Sequence, residues 1–532
     1  MLAKRCGSVA MRDGKLAPTR YRLKYRPGCL VVASFPGHSV ADEFSFQLRS
    51  EPSLRAKAVA FPYQQEAVDF VVEREYAAIF HEQGLGKTKI ALDAGLQWLR
   101  TKQVDTIIVF TKKGLIANWL REFEFHTELK PQVLTEQSSR NYYVFTTPSR
   151  AVLAHFEVAK KEEKRLAVWL RSRRVAVFLD ESAKIKNPDA DLAKSFHRLA
   201  PHFARRVIMT GTPVANRPYD IWSQIYFLDQ GKALGKDFET FRQGTDLDKG
   251  IADDSEQKQR FAKRLTQVQE KLARISIRET KAGGRVSLPS KEFERVICSW
   301  EPSQLELYRQ VREELRAVVL RDGQLIEDDQ DMILKRLLRL IQIASNPALV
   351  DDAYTLEPGK FPRLYELVTD ITRRAEKVIV WTAFNDNAEW LTKKLAPFGA
   401  LALHGKLNME RRNQVISWFL KNAQDQVLVA TPGAAKEGLT LTVANHVVFY
   451  DRTYSLDDYL QAQDRIHRVS QTKQCYVYTM LMTDSVDEWI ESLLEEKRYA
   501  AQLTQGDIDA KTYSARATFS FVDILRRILD AA

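Results

Sequence analysis

The stretch 81–88 combines two glycines with a lysine and a threonine, residue types suited to binding phosphate groups. It lies between an apolar run, 76–80, that predicts a buried strand and a segment, 90–99, that predicts a helix. Gly84 and Gly86 allow consecutive backbone N–H groups to curl around phosphates, and the following helix N-terminus adds its positive dipole end. The pattern therefore predicts a nucleotide phosphate-binding loop, although a tight turn explains the same short match.

Lys87 and Thr88 end this loop and supply the groups that act on a bound nucleotide. We expect the Lys87 ammonium to reach the outer phosphates and the Thr88 hydroxyl to bind Mg²⁺. Upstream, Gln64 lies in a predicted helix that begins near Phe61, and its amide can donate to and accept from an adenine edge. The sequence thus predicts ATP and Mg²⁺ as ligands.

Two carboxylates, Asp180 and Glu181, follow the apolar residues 175–179, which predict another buried strand. Open parallel sheets bind their ligands at the carboxyl ends of strands. We expect Asp180 to hold Mg²⁺, largely through water, and Glu181 to orient and activate the attacking water. Two solvated acids at an ordinary strand end are the alternative interpretation.

Arg465 and Arg468 lie three residues apart in a predicted helix, so both project from one face. Such a pair can cross a cleft to a γ-phosphate and stabilise the charge of the transition state. A surface face of ion pairs is the alternative. No second phosphate-binding loop precedes the arginines in their half of the chain.

Apolar runs separated by helical segments predict the parallel sheets that carry these residues. The predicted strands are 76–80, 105–111, 142–148, 175–179 and 207–213 in the first half, then 378–382, 401–405, 427–431 and 447–451. Between the halves, apolar residues alternately four and three apart over 261–275 predict a helix with a narrow apolar seam. Its basic outer face either follows a DNA groove or is simply solvated.

The order of these motifs resembles that of the Swi/Snf-related ATPases of helicase superfamily two. The resemblance covers roughly 61–505, and its acidic box is similar to that of compact annealing-helicase-like, phage and prokaryotic members. It rests on Gln64, 84–88, the strand before Lys112, 180–182, 185–187, 210–213 and 461–468.

The resemblance implies an α/β fold with two tandem RecA-like parallel-sheet lobes and a helical insertion between them. A small β-rich extension is expected before the lobes, and a brace helix that packs one lobe against the other is expected after them. The expected segments are 1–55 (extension), 56–228 (ATP-binding lobe), 229–350 (helical protrusions and hinge), 351–483 (second lobe) and 484–532 (brace helix and tail).

The resemblance also implies further site residues. Gln461 joins Lys87, Asp180, Glu181 and the two arginines as a catalytic residue. The nucleotide-binding set becomes Gln64, Gln83, Gly84, Leu85, Gly86, Lys87, Thr88, Lys89 and Gly438.

The resemblance implies a DNA-dependent ATPase that translocates on double-stranded DNA to remodel it or displace bound proteins. Residues after predicted strands are candidate phosphate contacts, which position DNA without reading its sequence. These candidates are Lys112, Lys113, Thr146, Thr147, His404 and Thr431. Branched or protein-bound DNA, action as a monomer, and a protein partner on the N-terminal extension or helical insertion are further expectations.

The composition agrees with such a protein. Hydrophobic residues make up 45% and charged residues 28%, which is typical of globular proteins, and the net charge of +11 suits a polyanionic partner. No apolar run approaches the ~20 residues that span a membrane. The four cysteines predict neither a zinc site nor a disulfide framework. We expect a cytoplasmic, nucleoid-associated protein in a prokaryotic or phage setting, or a nuclear one in a eukaryote.

Two other functions share these motifs: an RNA-dependent ATPase or helicase, and a catalytically silent nucleic-acid-binding scaffold. The long 229–290 insert and the form of 465–468 argue against the first, and the intact catalytic groups argue against the second. The chain departs from the family pattern at His81, where an acid is usual, and at Ala183, where a histidine is common. Neither departure removes a group that does chemistry.

Overall fold

Two parallel β-sheets organise the protein in a computed structural model. The structure describes residues 21–24, 29–33, 47–48, 51–214, 216–246, 255–321, 324–325, 330–435 and 439–516. The strands are β1 Tyr21–Lys24, β2 Cys29–Ala33, β3 Gln47–Leu48, β4 Tyr76–Ile79, β5 Thr106–Thr111, β6 Gln132–Leu134, β7 Ala151–His155, β8 Val175–Asp180, β9 Arg205–Met209, β10 Ser276–Ile277, β11 Lys291–Cys298, β12 Leu320–Arg321, β13 Gln324–Leu325, β14 Val378–Trp381, β15 Ala400–Leu403, β16 Val427–Ala430, β17 His446–Phe449 and β18 Cys475–Met482.

Helices cover both sheets and connect their strands. They are α1 Pro62–Val72, α2 Lys87–Arg100, α3 Ile116–His126, α4 Ser138–Thr146, α5 Phe156–Lys161, α6 Glu163–Arg171, α7 Asp191–Leu199, α8 Trp222–Asp229, α9 Phe238–Gln243, α10 Ser255–Ala273, α11 Pro302–Val319, α12 Gln330–Ser345, α13 Lys360–Arg373, α14 Asn385–Lys394, α15 Met409–Lys421, α16 Pro432–Ala435, α17 Leu456–Gln463, α18 Val486–Gln505 and α19 Ala510–Arg516.

The first lobe contains seven parallel strands in the order β10-β4-β9-β8-β5-β7-β6. The central strands β5 and β8 are buried almost throughout, because helices cover both faces. Helices α1, α2 and α3 supply one apolar layer, and α4 to α8 with α10 contribute to the other. This arrangement brings the carboxyl ends of β4, β5, β8 and β9 to one edge.

The second lobe contains six parallel strands in the order β11-β18-β17-β14-β16-β15. One of its two edge strands, β11, lies within the range that the sequence assigns to the insertion and hinge. Helices α11 and α12, from the same range, pack into the core of this lobe. The predicted α/β class with two tandem parallel-sheet lobes is confirmed.

The predicted strand over 142–148 is wrong, because these residues belong mainly to α4. Asn141 and Val144, three residues apart, are buried, whereas Tyr142 and Tyr143 are exposed. The Asn141 amide donates to Thr135 O at 2.8 Å and to Glu162 Oε1 at 3.0 Å, which fixes the inward face of the helix. The aromatic and β-branched residues suggested a strand. The three-residue spacing of Asn141 and Val144 instead matches a helix that buries both side chains on one face. The true strand is β7, which begins after Pro148.

Helix α18 contacts both lobes, as expected for the brace helix. Ser485 caps its N-terminus, where Oγ accepts from Asp487 N at 3.1 Å. Leu494 belongs to the core of the second lobe, whereas Ala501 belongs to the core of the first. Helix α10 turns its predicted seam toward α18 and α19, with Phe261 and Leu265 in one apolar cluster with residues of both helices.

The N-terminal extension contains the antiparallel sheet β1-β2-β3, so the predicted small antiparallel β unit is confirmed. The tail beyond residue 516 lies outside the described residues. Within the described ranges, no helix combines the length and apolar character needed to cross a membrane.

Lys360 provides a test of how α13 and α18 are joined. Its side chain is fully buried, with Nζ 2.7 Å from Asp487 Oδ2 and donating to Tyr450 O at 2.9 Å. We expect Lys360→Met to lower the free energy of unfolding by about 3–5 kcal/mol, because it leaves the Asp487 carboxylate buried without its cation. Urea unfolding followed by tryptophan fluorescence measures this change.

Arg363→Met is the matched control for that experiment, because it removes an exposed ion pair with Glu366 from the same helix. Its cost should stay within about 0.5 kcal/mol. Equal losses for Lys360→Met and Arg363→Met would contradict a special role for the buried pair.

Candidate nucleotide-binding cleft

The phosphate-binding loop connects β4 to α2 and has the backbone conformation that its glycines permit. Gly84 has φ = 84°, and Gly86, the residue before α2, has φ = 76°. Side chains other than glycine rarely adopt these angles. The loop therefore directs backbone N–H groups and the N-terminus of α2 toward one concave surface, which suits the phosphates of a nucleotide.

Lys87 is held over this loop by backbone carbonyl groups of the loop itself. Its Nζ donates to His81 O at 2.9 Å and to Glu82 O at 3.1 Å. Burial lowers the pKa of Lys87 to about 8, while the carboxylates of Glu181 and Asp180 oppose that shift. The ammonium is thus positioned between the loop and the two predicted acids, where an outer phosphate is expected.

His81 is a buried neighbour of Lys87. Burial, followed by the charge of Lys87, lowers the pKa of His81 to about 4, so its ring is neutral at pH 7. An acid at this position would bring another negative charge to Lys87. The neutral ring leaves Asp180 and Glu181 as the acids whose charges oppose the lowered pKa of Lys87.

Gln64 joins α1 to the phosphate-binding loop. Its Oε1 accepts from Phe61 N at 3.0 Å and its Nε2 donates to Leu85 O at 3.3 Å. A side chain on Gly86 would collide with the Gln64 amide. The amide is therefore engaged within the protein, and its contact with an adenine edge stays a prediction.

The other predicted loop residues have distinct environments. Leu85 is fully buried, and the buried Gln83 lies against Gly211. Lys89 forms an ion pair with Asp93 one turn further along α2, so its ammonium points away from the loop. Gly438 lies outside the described residues.

The acidic pair lies at the carboxyl end of β8, beside the loop. Asp180 Oδ2 accepts from Thr111 Oγ1 at 3.0 Å and from Trp119 Nε1 at 2.8 Å. Burial and the neighbouring Glu181 raise the pKa of Asp180. Glu181 has φ = 57°, and its buried Oε2 has no hydrogen-bond partner in the described part of the chain. Asp180 is thus fixed, whereas Glu181 presents an unused acceptor.

Arginines of the second lobe reach this site across the cleft. A Cβ on Gly84 would lie 3.1 Å from Arg468 Cγ, so Arg468 lies directly against the phosphate-binding loop. Its guanidinium donates to Thr440 Oγ1 at 2.7 Å and to Asp464 O at 3.2 Å. Arg465 is buried and donates to Leu439 O at 3.4 Å. Burial lowers the pKa of Arg465 to about 9, and Glu181 is among the acids that oppose the shift.

These residues fit ATP and Mg²⁺. Gly84 and Gly86 form a cradle that a side chain would fill, and Glu181 carries the unpaired buried oxygen noted above. No cluster of three or more His, Cys, Asp or Glu residues suited to a metal occurs in the described ranges. Mg²⁺ commonly uses only one or two protein carboxylates together with phosphate oxygens and water, so Thr88 and Asp180 suffice.

Two lysines were missed as part of the site: Lys281, which follows β10, and Lys291, the first residue of β11. The Asp464 carboxylate lies 2.8 Å from Lys281 Nζ and 3.1 Å from Lys291 Nζ. Although burial opposes it, the two ammonium groups hold the pKa of Asp464 well below its usual range. Lys281 also donates to His467 O at 2.9 Å, and its backbone N–H donates to Glu82 Oε2 at 2.8 Å. The interlobe segment therefore links the phosphate-binding loop to the arginine pair.

The predicted DNA contacts divide into two groups. Lys112 and Lys113 line a cavity of about 660 Å³ between the lobes, together with Lys184 and Lys186. His404 and Thr431 are buried at the carboxyl ends of β15 and β16, which leaves them little surface for a polymer. The lysines are the exposed part of the predicted track.

Thr146 and Thr147 are not placed as predicted, because they end α4 instead of following a strand. Thr146 Oγ1 donates to Tyr142 O at 2.9 Å within the helix. Both threonines precede β7, so they lie near its amino end, away from the edge that carries Lys112. His155, at the carboxyl end of β7 and paired in register with Thr111, occupies the position that they were expected to fill. The apolar run after Pro148, which forms β7, was the sequence signal that could have identified His155.

Gly86→Ala tests the cradle. The substitution combines a strained backbone angle with a collision against the Gln64 amide, so we expect ATP affinity to fall by at least about tenfold. Equilibrium binding of a fluorescent ATP analogue measures the affinity. Gly235→Ala is the matched control, because Gly235 has φ = 90° but open space around its Cβ position. Similar ATP affinities for the two variants would contradict the assigned cradle.

Comparison with known proteins finds two domains in the chain. An SNF2-related domain matches residues 63–349, and a helicase conserved C-terminal domain matches residues 359–470. These matches include the phosphate-binding loop, the acidic pair and the arginine pair.

Curated relatives match over most of this chain. The putative ATP-dependent helicase/translocase YwqA of Bacillus subtilis is 26% identical over 487 residues, 87% of this chain and 49% of its own length. The ISWI chromatin-remodeling complex ATPase ISW1 of Saccharomyces cerevisiae is 25% identical over 87% of this chain and 42% of its own. The mouse (Mus musculus) DNA repair and recombination protein RAD54-like is 24% identical over 81% of this chain and 64% of its own length. The chain spans about half the length, or less, of the first relatives.

Among solved structures, the SWI2/SNF2 ATPase core of Sulfolobus solfataricus in complex with dsDNA matches with a TM-score of 0.40 and 24% identity. It covers 91% of this chain and 99% of the solved one. The family assignment rests on the two domain matches.

Proposed function

Because the chain belongs to the SNF2-related family of ATP-dependent helicases and translocases, we propose that it is a DNA-dependent ATPase that translocates on double-stranded DNA. Use of ATP follows from the family. The polymer, its strandedness and the outcome of translocation are the proposed part.

One observation carries the proposal: Arg468 of the second lobe lies against Gly84 of the first lobe's phosphate-binding loop. A nucleotide on the loop would therefore contact both lobes. Hydrolysis can then be coupled to the distance between the lobes, which is what a translocating motor requires.

Each catalytic group has a role that its position supports. Lys87 holds the outer phosphates, and Glu181 offers its unpaired oxygen to the attacking water. Arg465 and Arg468 stabilise the charge of the transition state from the opposite lobe. Mg²⁺ held by Thr88 and Asp180 would neutralise charge on the phosphate oxygens.

The cleft lysines suit the phosphates of a nucleic acid, and the relatives favour DNA. Four lysines line the cavity between the lobes, and three of them are paired with acids: Lys113 with Glu136 at 2.7 Å, Lys184 with Glu157 at 3.1 Å, and Lys186 with Asp220 at 2.9 Å. Phosphates of the polymer would replace these carboxylates. Relatives named as a chromatin-remodelling ATPase and a DNA repair protein support DNA over RNA.

The remaining expectations complete the proposal. The protein acts as a monomer, and its DNA is branched or protein-bound. It is associated with the nucleoid in a prokaryotic or phage setting and lies in the nucleus in a eukaryote. A partner protein would bind the N-terminal extension or the helical insertion.

Arg468→Ala tests the two-lobe mechanism. We expect single-turnover ATP hydrolysis with duplex DNA to fall by roughly 10³–10⁵, because the transition state loses its cationic partner from the second lobe. ATP affinity should change far less, since Lys87 and the loop remain. Arg465→Ala should behave similarly, and lysine at position 468 should rescue only in part, because an ammonium lacks the planar fork.

The same assay decides between the candidate polymers. Duplex DNA, single-stranded DNA and structured RNA are compared as activators of the wild type, with Glu181→Gln as the inactive reference. Stimulation by RNA alone would favour the RNA-dependent alternative, and no hydrolysis at all would favour the silent scaffold. Hydrolysis by Arg465→Ala and Arg468→Ala within a fewfold of wild type would contradict the cleft-closing mechanism.

The lysines of the cavity are tested by the salt dependence of DNA binding. Each neutralised phosphate contributes about −0.9 to the log–log slope of affinity against salt concentration. We expect Lys112→Ala with Lys113→Ala to make the slope less steep by nearly two units, equally on unrelated sequences. Lys160→Ala is a control, because Lys160 is an exposed, ion-paired lysine that does not line the cavity. An unchanged slope in the double variant would place the DNA elsewhere.

A further inference from the structure

We propose that Asp457 positions the amide of Gln461 for hydrolysis and makes that position depend on closure of the cleft. The inference rests on the proposed ATPase function and adds a residue to it. Asp457 stands outside the motifs that predicted the site.

Asp457 receives hydrogen bonds from both lobes at one oxygen. Its Oδ1 accepts from Gln461 Nε2 at 2.7 Å, one turn later on α17, and from Thr212 Oγ1 of the first lobe at 2.6 Å. Beside it, Leu456 N donates to Asn216 Oδ1 at 2.9 Å, so the beginning of α17 is fastened to the loop after β9. These are direct bonds across the cleft.

The carboxylate determines which way the Gln461 amide faces. An ionised carboxylate only accepts hydrogen bonds, so the NH₂ group must face Asp457 and the carbonyl Oε1 must face away from it. Gln461 is only 3% exposed, and its Oε1 has no hydrogen-bond partner among the described residues. Without Asp457, nothing described in the structure would favour this orientation over the flipped one.

The Gln461 carbonyl of the second lobe and the Glu181 carboxylate of the first lobe line one cavity. Gln461, Glu181, Asp457 and Thr212 all line the same space of about 660 Å³. Glu181 Oε2 and Gln461 Oε1 are both buried acceptors without partners in the described chain. A water molecule has two protons to donate, so one acceptor from each lobe suits a single attacking water.

Thr212 connects this arrangement to the phosphate site. Its neighbour Gly211 lies beside Lys87, since a Cβ there would be 3.4 Å from Lys87 Nζ. Separation of the lobes removes the Thr212 hydroxyl from Asp457 and moves Gln461 away from Glu181. The pair Thr212–Asp457 therefore exists only when the catalytic groups of both lobes are assembled.

Single-turnover hydrolysis and ATP affinity test the proposal, with and without duplex DNA. We expect Asp457→Ala to lower the hydrolysis rate by about 10- to 100-fold, as loss of hydrogen bonds to a charged group does, with ATP affinity within a fewfold of wild type. Asp457→Asn keeps an acceptor oxygen and should lose less. In a Gln461→Ala background, Asp457→Ala should cost nothing further, because the group that it positions is already gone.

The dependence on closure has its own variants. Thr212→Val removes the hydroxyl with little change in shape and should lower the hydrolysis rate. Thr212→Ser keeps the hydroxyl donor and should keep the wild-type hydrolysis rate. Glu410→Gln is the control, since it removes an exposed carboxylate from the first turn of another second-lobe helix, α15. Its hydrolysis rate should stay within about twofold of wild type by the usual scale of exposed charges.

Additive losses in the Asp457→Ala, Gln461→Ala double variant would overturn the proposal, as would hydrolysis by Asp457→Ala within about twofold of wild type. Thermal unfolding of each variant is measured beside the kinetics, and if Asp457→Ala does not fold, the pair Thr212→Val and Thr212→Ser decides. The comparison is also made without DNA. A wild type that hydrolyses ATP but ignores duplex DNA would refute the proposed function while leaving the positioning by Asp457 to be judged on its own.

Discussion

The contact between Arg468 and Gly84 is the constraint on which the rest of the structure depends. It requires a glycine, because a Cβ at position 84 would press against the arginine side chain and would strain a backbone with positive φ. It also requires the second lobe to be held at the right distance. Lys281, which follows β10 of the first lobe, does this through Asp464, and Arg278 extends the connection through Asp507, with N–O distances of 2.7 and 2.6 Å.

Much of this could be predicted from the sequence where function and local pattern coincide. The phosphate-binding loop, Asp180, Glu181 and the arginine pair each lie in a short motif whose chemistry is visible without a structure. The sheets follow from apolar runs, because strands buried on both faces need continuous hydrophobic stretches. The strand expected over 142–148 failed because β-propensity reflects context, and Asn141 supplied a helical anchor there.

The cross-lobe contacts could not be predicted in the same way. Lys281 and Asp464 are 183 positions apart and Thr212 and Asp457 are 245 apart, and no local period connects them. Each residue alone is an ordinary charged or polar side chain. Only the approach of the two lobes places the Lys281 ammonium beside that of Lys291 at Asp464, and the Thr212 hydroxyl beside the Gln461 amide at Asp457.

The pairing of β11 with β18 has a consequence for how the protein is made. Lys291 is paired in register with Cys475, so this edge strand of the second sheet is synthesised 184 residues before its partner. At usual rates of translation, that interval lasts roughly 10–40 s. Throughout it, β11 has no strand to pair with, and Phe293 and Ile297 stay exposed on it even in the finished protein. The second lobe therefore closes only after translation has passed residue 482, while the first lobe already has all of its strands.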